Sequence, residues 1–380
     1  MILIMFLSGI NLLFRYKPLD NGLERRLLNN RLLNRKLRLI DVSEPWGQEP
    51  DPAKWRQCIK PRTIGLSWGM IKLGSSVFVD FCRENSIPVI FMERSPLMKN
   101  GRLALYFDSG GTTNLSSYWG KANWQLISSK RLDASQTERL NAYREDMRGV
   151  SEGVDIQKER FMPIDVIKSK LGIPLNKKII FCPMQVDNDV TITVMDSSPW
   201  IRNMAHFLSV IVECLDDLPD DYHIIVKEHP RNVIRGTLTE YPGVTGKITF
   251  VREDVNSNAL CQGCDAVLSI NSGMGTEAMV FHKPVISLGK SFYSGKGLNF
   301  EAGDVEQLRG LFRDVEGLKV NKELLDIYIY HMIFDFSYDL ETREDTLRFL
   351  KMIKKTGDEL FGRGAGWFSG TRWSRLWQTG

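Results

Sequence analysis

Long apolar runs are missing from this 380-residue chain. No stretch reaches the ~18 apolar residues that a membrane-crossing helix needs, so no transmembrane helix is expected. The apolar start, Met1 to Leu13, is too short to span a bilayer. It also lacks a basic leading region and a small-residue cleavage site, which argues against a secretory signal. Ile2 to Leu7 reads instead as a buried first strand. Cysteine is sparse and irregular: Cys58, Cys82, Cys182, Cys214, Cys261 and Cys264 form no framework of spacings. That excludes a disulfide-built scaffold and suits reduced, buried thiols of a cytosolic protein. Cys261-x-x-Cys264 has no second pair beside it, which leaves little for zinc. A charge excess is missing too. Fifty basic residues against 46 acidic ones leave +4, too mild to imply nucleic-acid binding. Neither an internal repeat nor a low-complexity tract is present.

What is present is ordinary for a globular protein: 43% apolar and 25% charged residues. The length suggests two domains or three. Short apolar strands alternate with helices: strands at Arg62–Trp68, Pro88–Met92 and Leu103–Phe107, with a helix at Ser75–Asn85. Thr137–Arg148 reads as a polar helix. A second α/β unit follows, with strands at Lys178–Pro183, Tyr222–Lys227, Ile248–Val251, Ala266–Ile270 and Pro284–Leu288. Helices are expected over Trp200–Leu215 and from Gly275, and Leu324–Lys355 reads as helical in two pieces. This alternation predicts an α/β fold of doubly wound parallel sheets. The expected divisions are 1–160, 161–320, and a C-terminal stretch 321–380 of helices ending in a basic aromatic tail. In such sheets ligands sit beyond the carboxyl ends of the strands.

Two motifs stand at such ends in the second unit. In Val226-Lys227-Glu228-His229-Pro230 a strand delivers Lys227 and His229 to its edge, and Pro230 stops the ladder. Cationic and hydrogen-bonding side chains there suit a phosphate. Ser269-Ile270-Asn271-Ser272-Gly273-Met274-Gly275-Thr276-Glu277 runs from a strand into a helix. Ser272 can cap that helix, and Gly273 and Gly275 admit a close backbone approach. Glu277 can accept bonds from ribose hydroxyls. Simple capping explains the same residues; the two motifs ~40 residues apart in one unit are more specific than either alone. A third segment, Gln185 to Thr191, holds Asp187 and Asp189. An Asp-x-Asp pair can bind a divalent cation, but the favoured reading is a cleft loop without metal. In the first half, Trp68-Gly69, Glu93-Arg94-Ser95 and Asp108-Ser109-Gly110-Gly111 are expected at strand ends. Two carboxylates there can serve as acid/base or nucleophile, against the plainer reading of polar loops.

These pieces, in this order, resemble the bacterial capsule polysaccharide synthesis proteins of the β-Kdo transferase group (Kdo is 3-deoxy-manno-octulosonic acid). The likeness runs over roughly residues 60 to 300. It rests on Trp68-Gly69, Glu93-Arg94-Ser95, Asp108, Gln185-Val186, Asp189, Lys227-Glu228-His229-Pro230, Asn271 through Ala278, Lys283-Pro284-Val285 and the loop Gly289 to Gly297. The family has Glu-Asp-Gly-Phe where this chain has Glu93-Arg94-Ser95-Pro96. The resemblance implies a GT-B glycosyltransferase: two Rossmann-like domains facing across a cleft, with C-terminal helices crossing back. It implies CMP-Kdo as donor, with Lys227, His229, Pro230, Asn271, Ser272, Gly273 and Glu277 on the nucleotide and Gln185 and Asp189 in the cleft. Asp108 is then the nucleophile, Glu93 its acid/base partner, and no metal is required. The acceptor is a glycolipid or glycan.

Leu23 to Leu39 carries six basic residues and one acidic residue, Glu24, among leucines. It reads as a surface helix, or as an amphipathic segment on an anionic membrane. The tail from Phe361 holds Trp367, Trp373 and Trp377 with three arginines, a composition that suits a lipid interface. Peripheral attachment to the inner face of the cytoplasmic membrane is the matching location. Three other readings remain: a CDP-glycerol-type polymer phosphotransferase, a metal-dependent GT-A enzyme using Asp187 and Asp189, and a non-catalytic sugar-nucleotide-binding subunit.

Overall fold

The computed structural model describes residues 11–15, 30–41, 50–69, 75–150, 160–186, 192, 197–229, 246–251 and 255–361. The expected strand at Ile2–Leu7, the residues Asp187, Asp189 and Pro230, and the tail beyond Phe361 lie outside this set.

Among the described residues the strands are β1 (Asn11–Arg15), β2 (Arg38–Asp41), β3 (Thr63–Trp68), β4 (Val89–Lys99), β5 (Arg102–Asp108), β6 (Lys178–Pro183), β7 (Tyr222–Lys227), β8 (Ile248–Val251), β9 (Ala266–Ser269), β10 (Val285–Ser287), β11 (Phe300–Glu301) and β12 (Ser337–Tyr338). They form two six-stranded sheets, ordered β12-β5-β4-β3-β1-β2 and β11-β10-β9-β6-β7-β8. The chain divides into two units. Described residues up to Ser95, Lys99–Tyr118 and those from Phe336 onward form the first. Pro96–Met98 and Trp119–Asp335 form the second. The sequence reading divided the chain near 160. The difference arises because the helices Lys121–Ser128 and Ala134–Met147 both pack on the helix Lys322–His331 of the second unit.

The first sheet is two-faced by simple alternation. Leu12, Ile64, Leu66, Ile90 and Met92 enter one core with Leu33, Leu37, Phe349 and Ile353. Leu13, Val89 and Phe91 enter another with Trp55, Phe78 and Phe81. Helices therefore cover both faces, as parallel strands require. Its parallel part is β2-β1-β3-β4. β12 adds an antiparallel edge, pairing Ser337 with Tyr106. The buried Lys99 ammonium fastens this segment, donating to the Ser337 carbonyl and to Asp345, each at 3.0 Å. Two elements depart from expectation. β4 does not stop at Met92 but runs on to Lys99, through Pro96. The β3 ladder ends at Met92, so a missing N–H at Pro96 breaks nothing on that side. Glu93, Arg94 and Ser95 thus lie inside a strand, not at its end. β4 then turns into β5 through Asn100 and Gly101, both at positive φ (52° and 67°), the pattern of a two-residue hairpin.

The basic leucine-rich stretch is also not one helix. Within the described residues it is a short helix, Arg31–Lys36, capped by the Asn30 side chain and followed by β2. Leu33 and Leu37 are buried in the first core, so those leucines are not available to a bilayer.

The second sheet is parallel throughout the pairings β6/β7, β7/β8, β6/β9, β9/β10 and β10/β11. Ile180, Ile224, Leu268 and Ile286 point to one core, shared with the helix Met204–Glu213 and with Leu308 and Phe312. The neighbouring residues Ile179, Phe181, Ile225 and Val267 are equally buried and face the other way. Both faces are covered, and the polar groups gather at the strand ends.

Candidate functional site

The carboxyl ends of β6, β7 and β9 meet at one edge of the second sheet. Met184 donates its N–H to the Lys227 carbonyl at 2.9 Å, which sets the exit of β6 beside the exit of β7. Two residues from that point, Gln185 and Asn271 clasp each other. The Gln185 Nε2 donates to Asn271 Oδ1 at 2.8 Å, and the Asn271 N–H donates to Gln185 Oε1 at 3.2 Å. Asn271 Nδ2 goes on to Ser197 Oγ at 2.6 Å. The Ser197 carbonyl accepts the Lys290 N–H at 2.7 Å, and Ser198 Oγ donates to the Leu288 carbonyl at 2.6 Å. Three strand exits and the segment after β10 are thereby tied by neutral groups alone. Gln185 and Asn271 were expected from sequence; Ser197 and Ser198 were not. A Ser-Ser-Pro turn was their only signal.

Lys227 ends β7 and is 3% exposed; Glu228 is also buried, and His229 is half-buried. The Glu228 N–H donates to the Val251 carbonyl at 2.9 Å, extending the β7/β8 ladder one step past Lys227. After β9 the chain turns through Ser272 and Gly273 into the helix Met274–Val280. Ser272 Oγ accepts the Met274 N–H at 3.2 Å, but the N-cap position itself is Gly273, so Ser272 is not the cap that the sequence suggested. Beneath this turn lies the fully buried Tyr293, whose hydroxyl donates to the Ser272 carbonyl at 3.3 Å. Its phenol is pushed up to about 12 by burial, so it stays a neutral donor. Gly275 leaves room for it: a Cβ there would stand 2.7 Å from the tyrosine oxygen. Glu277 is buried, and its charge adds to the burial that raises the hydroxyl of Tyr143 and the thiol of Cys261. Cys261 and Cys264 are both buried with raised thiols, and they donate to the carbonyls of Met274 and Cys261. Such protonated thiols suit packing better than redox work.

The first unit holds the two carboxylates expected to react. Asp108, at the end of β5 and 5% exposed, is a knot. Its Oδ1 accepts the N–H groups of Gly110 (2.7 Å), Gly111 (3.4 Å) and Ser117 (2.9 Å) and the Ser117 hydroxyl (2.7 Å). Its Oδ2 accepts the Ser116 hydroxyl (2.6 Å) and the Tyr118 N–H (2.9 Å). Both oxygens are filled, and the loop 109–118 is wound around them. Glu93 is half-buried within β4 and receives the Tyr106 hydroxyl on Oε2 at 3.1 Å. That hydroxyl also accepts the Thr113 N–H at 3.3 Å, and Thr113 sits at φ 51°. Tyr106 stacks on Phe336 at 4.7 Å. Burial, then the Glu93 charge, holds its phenol well above the ordinary range. It is a fixed donor aimed at Glu93.

Residues 153–309 match the family model described as capsule polysaccharide biosynthesis protein. Protein FixF of Sinorhizobium fredii is 28% identical over 184 residues, 46% of this chain and 42% of that protein. The capsule polysaccharide modification protein LipB of Neisseria meningitidis is 28% identical over 130 residues, 32% of this chain and 30% of that protein. The chain thus spans less than half the length of the curated relatives it matches. Among solved structures, the KpsC β-Kdo 2,7 transferase of Thermosulfurimonas dismutans aligns with a TM-score of 0.52 at 16% identity, over 92% of this chain and 99% of that one. That likeness speaks for the fold. No described helix is long and apolar enough to cross a membrane. Residues 153–309 are thus similar to the capsule polysaccharide biosynthesis family, and the chain has an α/β fold like that of the KpsC transferase.

Proposed function

We propose that this chain is a glycosyltransferase that moves Kdo, or a related sugar, from a CMP-activated donor to a lipid-linked or polysaccharide acceptor of a bacterial surface glycan, with retention at the anomeric carbon. The observation that carries the reading is the meeting of Gln185, Lys227, His229 and Asn271 at one sheet edge, inside the family-matched segment. The name of the KpsC relative supports the sugar. In this reading the bond from the anomeric carbon to the CMP phosphate oxygen breaks, and the electron pair leaves with the phosphate. Lys227 and His229 neutralise the charge that develops there. Those cations make a metal unnecessary, so chelator leaves turnover intact.

Retention needs a carboxylate that bonds to the anomeric carbon as the CMP phosphate leaves and is then displaced by the acceptor oxygen, whose proton passes to solvent. Asp108 was the first expectation for this role. Six donors on its two oxygens favour Glu93 instead, with Asp108 as the anchor of the loop. Glu277 remains the candidate for the ribose. Membrane attachment enters the proposal only through the tail beyond Phe361.

The test is thermal stability with CMP, UDP, GDP and CDP, followed by transfer from CMP-Kdo. A ligand at ~100 times its dissociation constant adds about 2.7 kcal/mol. Selective stabilisation by CMP and transfer with retained configuration are expected. Selective stabilisation by UDP or GDP overturns the Kdo reading and leaves another GT-B transferase. Nucleotide binding with no transfer to any glycan acceptor favours a binding subunit.

A further inference from the structure

A cavity of about 360 Å³ lies within the second unit, away from the strand exits. Its lining includes Gly263, which precedes β9, and His282 and Lys283, which precede β10. It therefore opens at the amino edge of the sheet, and Asn271 and Gln185 stand at the carboxyl edge. β9 has four residues; at about 3.3 Å per residue, the strand alone sets the two edges ~13 Å apart. The volume falls at the small end of the range of about 300–1,000 Å³ for ligand pockets.

The lining is one-sided in charge. Among the described residues Arg144, Arg148, His282 and Lys283 face it, and no acidic side chain does. Phe161, Ile164 and Phe281 give it an apolar wall. The inner groups are held rigidly. Arg144 is buried; its Nε donates to the Val280 carbonyl at 2.6 Å and its Nη2 to Asp326 Oδ1 at 2.6 Å. His282, at φ 56°, meets the same Asp326 oxygen at 2.5 Å. Burial would raise the Asp326 carboxyl, but the His282 hydrogen bond and the Arg144 charge outweigh it and hold the group below its ordinary range. Asp326 lies outside the lining and fixes both groups from behind. The outer cations are free to respond. Arg148 is 58% exposed and shares only its Nε with Glu145. The Lys283 ammonium has no ion pair or hydrogen bond among the described residues. The helix Ile164–Lys170 is drawn tight against the cavity floor, because a Cβ at Gly263 would stand 2.6 Å from Ile164 Cβ.

We infer that this cavity binds a phosphate ester carrying a small apolar group, at a site separate from the strand exits and independent of the function proposed above. Asp326 backs the inner pair from outside the lining, and the exposed Arg148 guanidinium and the Lys283 ammonium suit the oxygens of a doubly charged phosphate. The phenylalanine wall takes the carbon part.

Calorimetric titration of the full chain with hexyl phosphate, inorganic phosphate and 1-hexanol tests this. Hexyl phosphate is expected to bind about ten-fold or more tighter than either fragment. The double variant R148A/K283A is expected to lose about ten-fold or more of that affinity while its melting point and its response to CMP stay as in the parent. Vesicles with and without phosphatidic acid then separate a lipid head group, which binds both probes, from a soluble ester, which ignores vesicles. Hexyl phosphate no tighter than inorganic phosphate, equal binding by the variant, or competition between hexyl phosphate and CMP would each overturn the inference. Charge reversal by K283E supplies a second readout: it is expected to abolish binding outright, and retained binding counts against the site.

Discussion

The strand exits of the second unit and the carboxylate loop of the first unit are built by opposite means. At the exits, Gln185, Asn271 and Ser197 bind one another, and Ser198 holds the Leu288 carbonyl, all as neutral donors and acceptors. In the loop, one charged group, Asp108, takes six donors from a ten-residue segment. A neutral clasp loses one modest bond at a time, because each net hydrogen bond contributes only about 1 kcal/mol. A charged hub loses everything together and leaves several donors unpaired. The contrast suits their proposed duties. The exits need a precise but neutral floor on which Lys227 and His229 supply the charge. The loop needs one rigid shape that holds the Thr113 N–H on the Tyr106 hydroxyl, which in turn donates to Glu93.

The largest expected effect separates the two first-unit carboxylates. Glu93→Gln keeps the shape of the side chain and removes its negative charge. It is expected to cost on the order of 10³-fold or more in turnover, with melting point and CMP binding unchanged. Asp108→Ala is expected to destabilise the chain by about 3 kcal/mol or more, through donors left buried and unpaired. Urea denaturation and single-turnover transfer check both. If Asp108→Asn folded normally and lost turnover while Glu93→Gln stayed active, the roles would be reversed and the hub would be the nucleophile after all.

A smaller effect is expected at the clasp. Gln185→Ala removes two hydrogen bonds from Asn271 and leaves the Ser197 bond in place. About 1–2 kcal/mol of stability should go. Nucleotide affinity should fall further than that of a Ser198→Ala variant, whose hydroxyl bonds the backbone of Leu288 and Ile201. Equal losses in the two variants would mean that the clasp has no special tie to the ligand.

How much of this was legible beforehand follows the same division. β6, β7 and β8 agree with the expected bounds to the residue, because short β-branched runs flanked by polar residues carry their own signal. The Lys227, Gln185 and Asn271 positions followed, since a parallel sheet puts function at its strand exits. What escaped was non-local. β12 is two residues long and exists because β5 offers an edge to Ser337 and Tyr338. Pro96 reads as a stop, and only the end of the β3 ladder at Met92 makes it harmless. Nothing in Ser109 to Tyr118 announces that this segment folds back onto both oxygens of Asp108. The ribose candidate Glu277 was found as a helix-start acid, but its burial was not foreseen.

The smallest expected effect asks whether the second unit is as indifferent to pH as its neutral clasp implies. Lys296 lies in the loop between β10 and β11, donating to the Ser294 carbonyl at 3.1 Å. Burial pulls its ammonium down to about 8, against a partial upward pull from Glu301. An unfolded lysine titrates near ~10.4. Between those values the unfolded chain holds the proton that the folded chain has released, so this group makes stability rise with pH. Below about 8 both forms are charged, and the burial penalty is fully present. The buried thiols act in the opposite sense. Cys82 and Cys264 are pushed up to about 12 by burial, and stability linked to them falls as pH climbs above the unfolded value of ~8.5. The whole chain therefore weakens in alkali, and Lys296 blunts the loss. Lys296→Met removes the charge and keeps the stem. Urea midpoints for the parent and the variant at pH 7 and pH 10 are expected to show the variant ahead at pH 7, with the gap closing by pH 10. A gap of constant size would mean that Lys296 stays charged in the fold, and that the floor of the second unit has no titrating group in this loop.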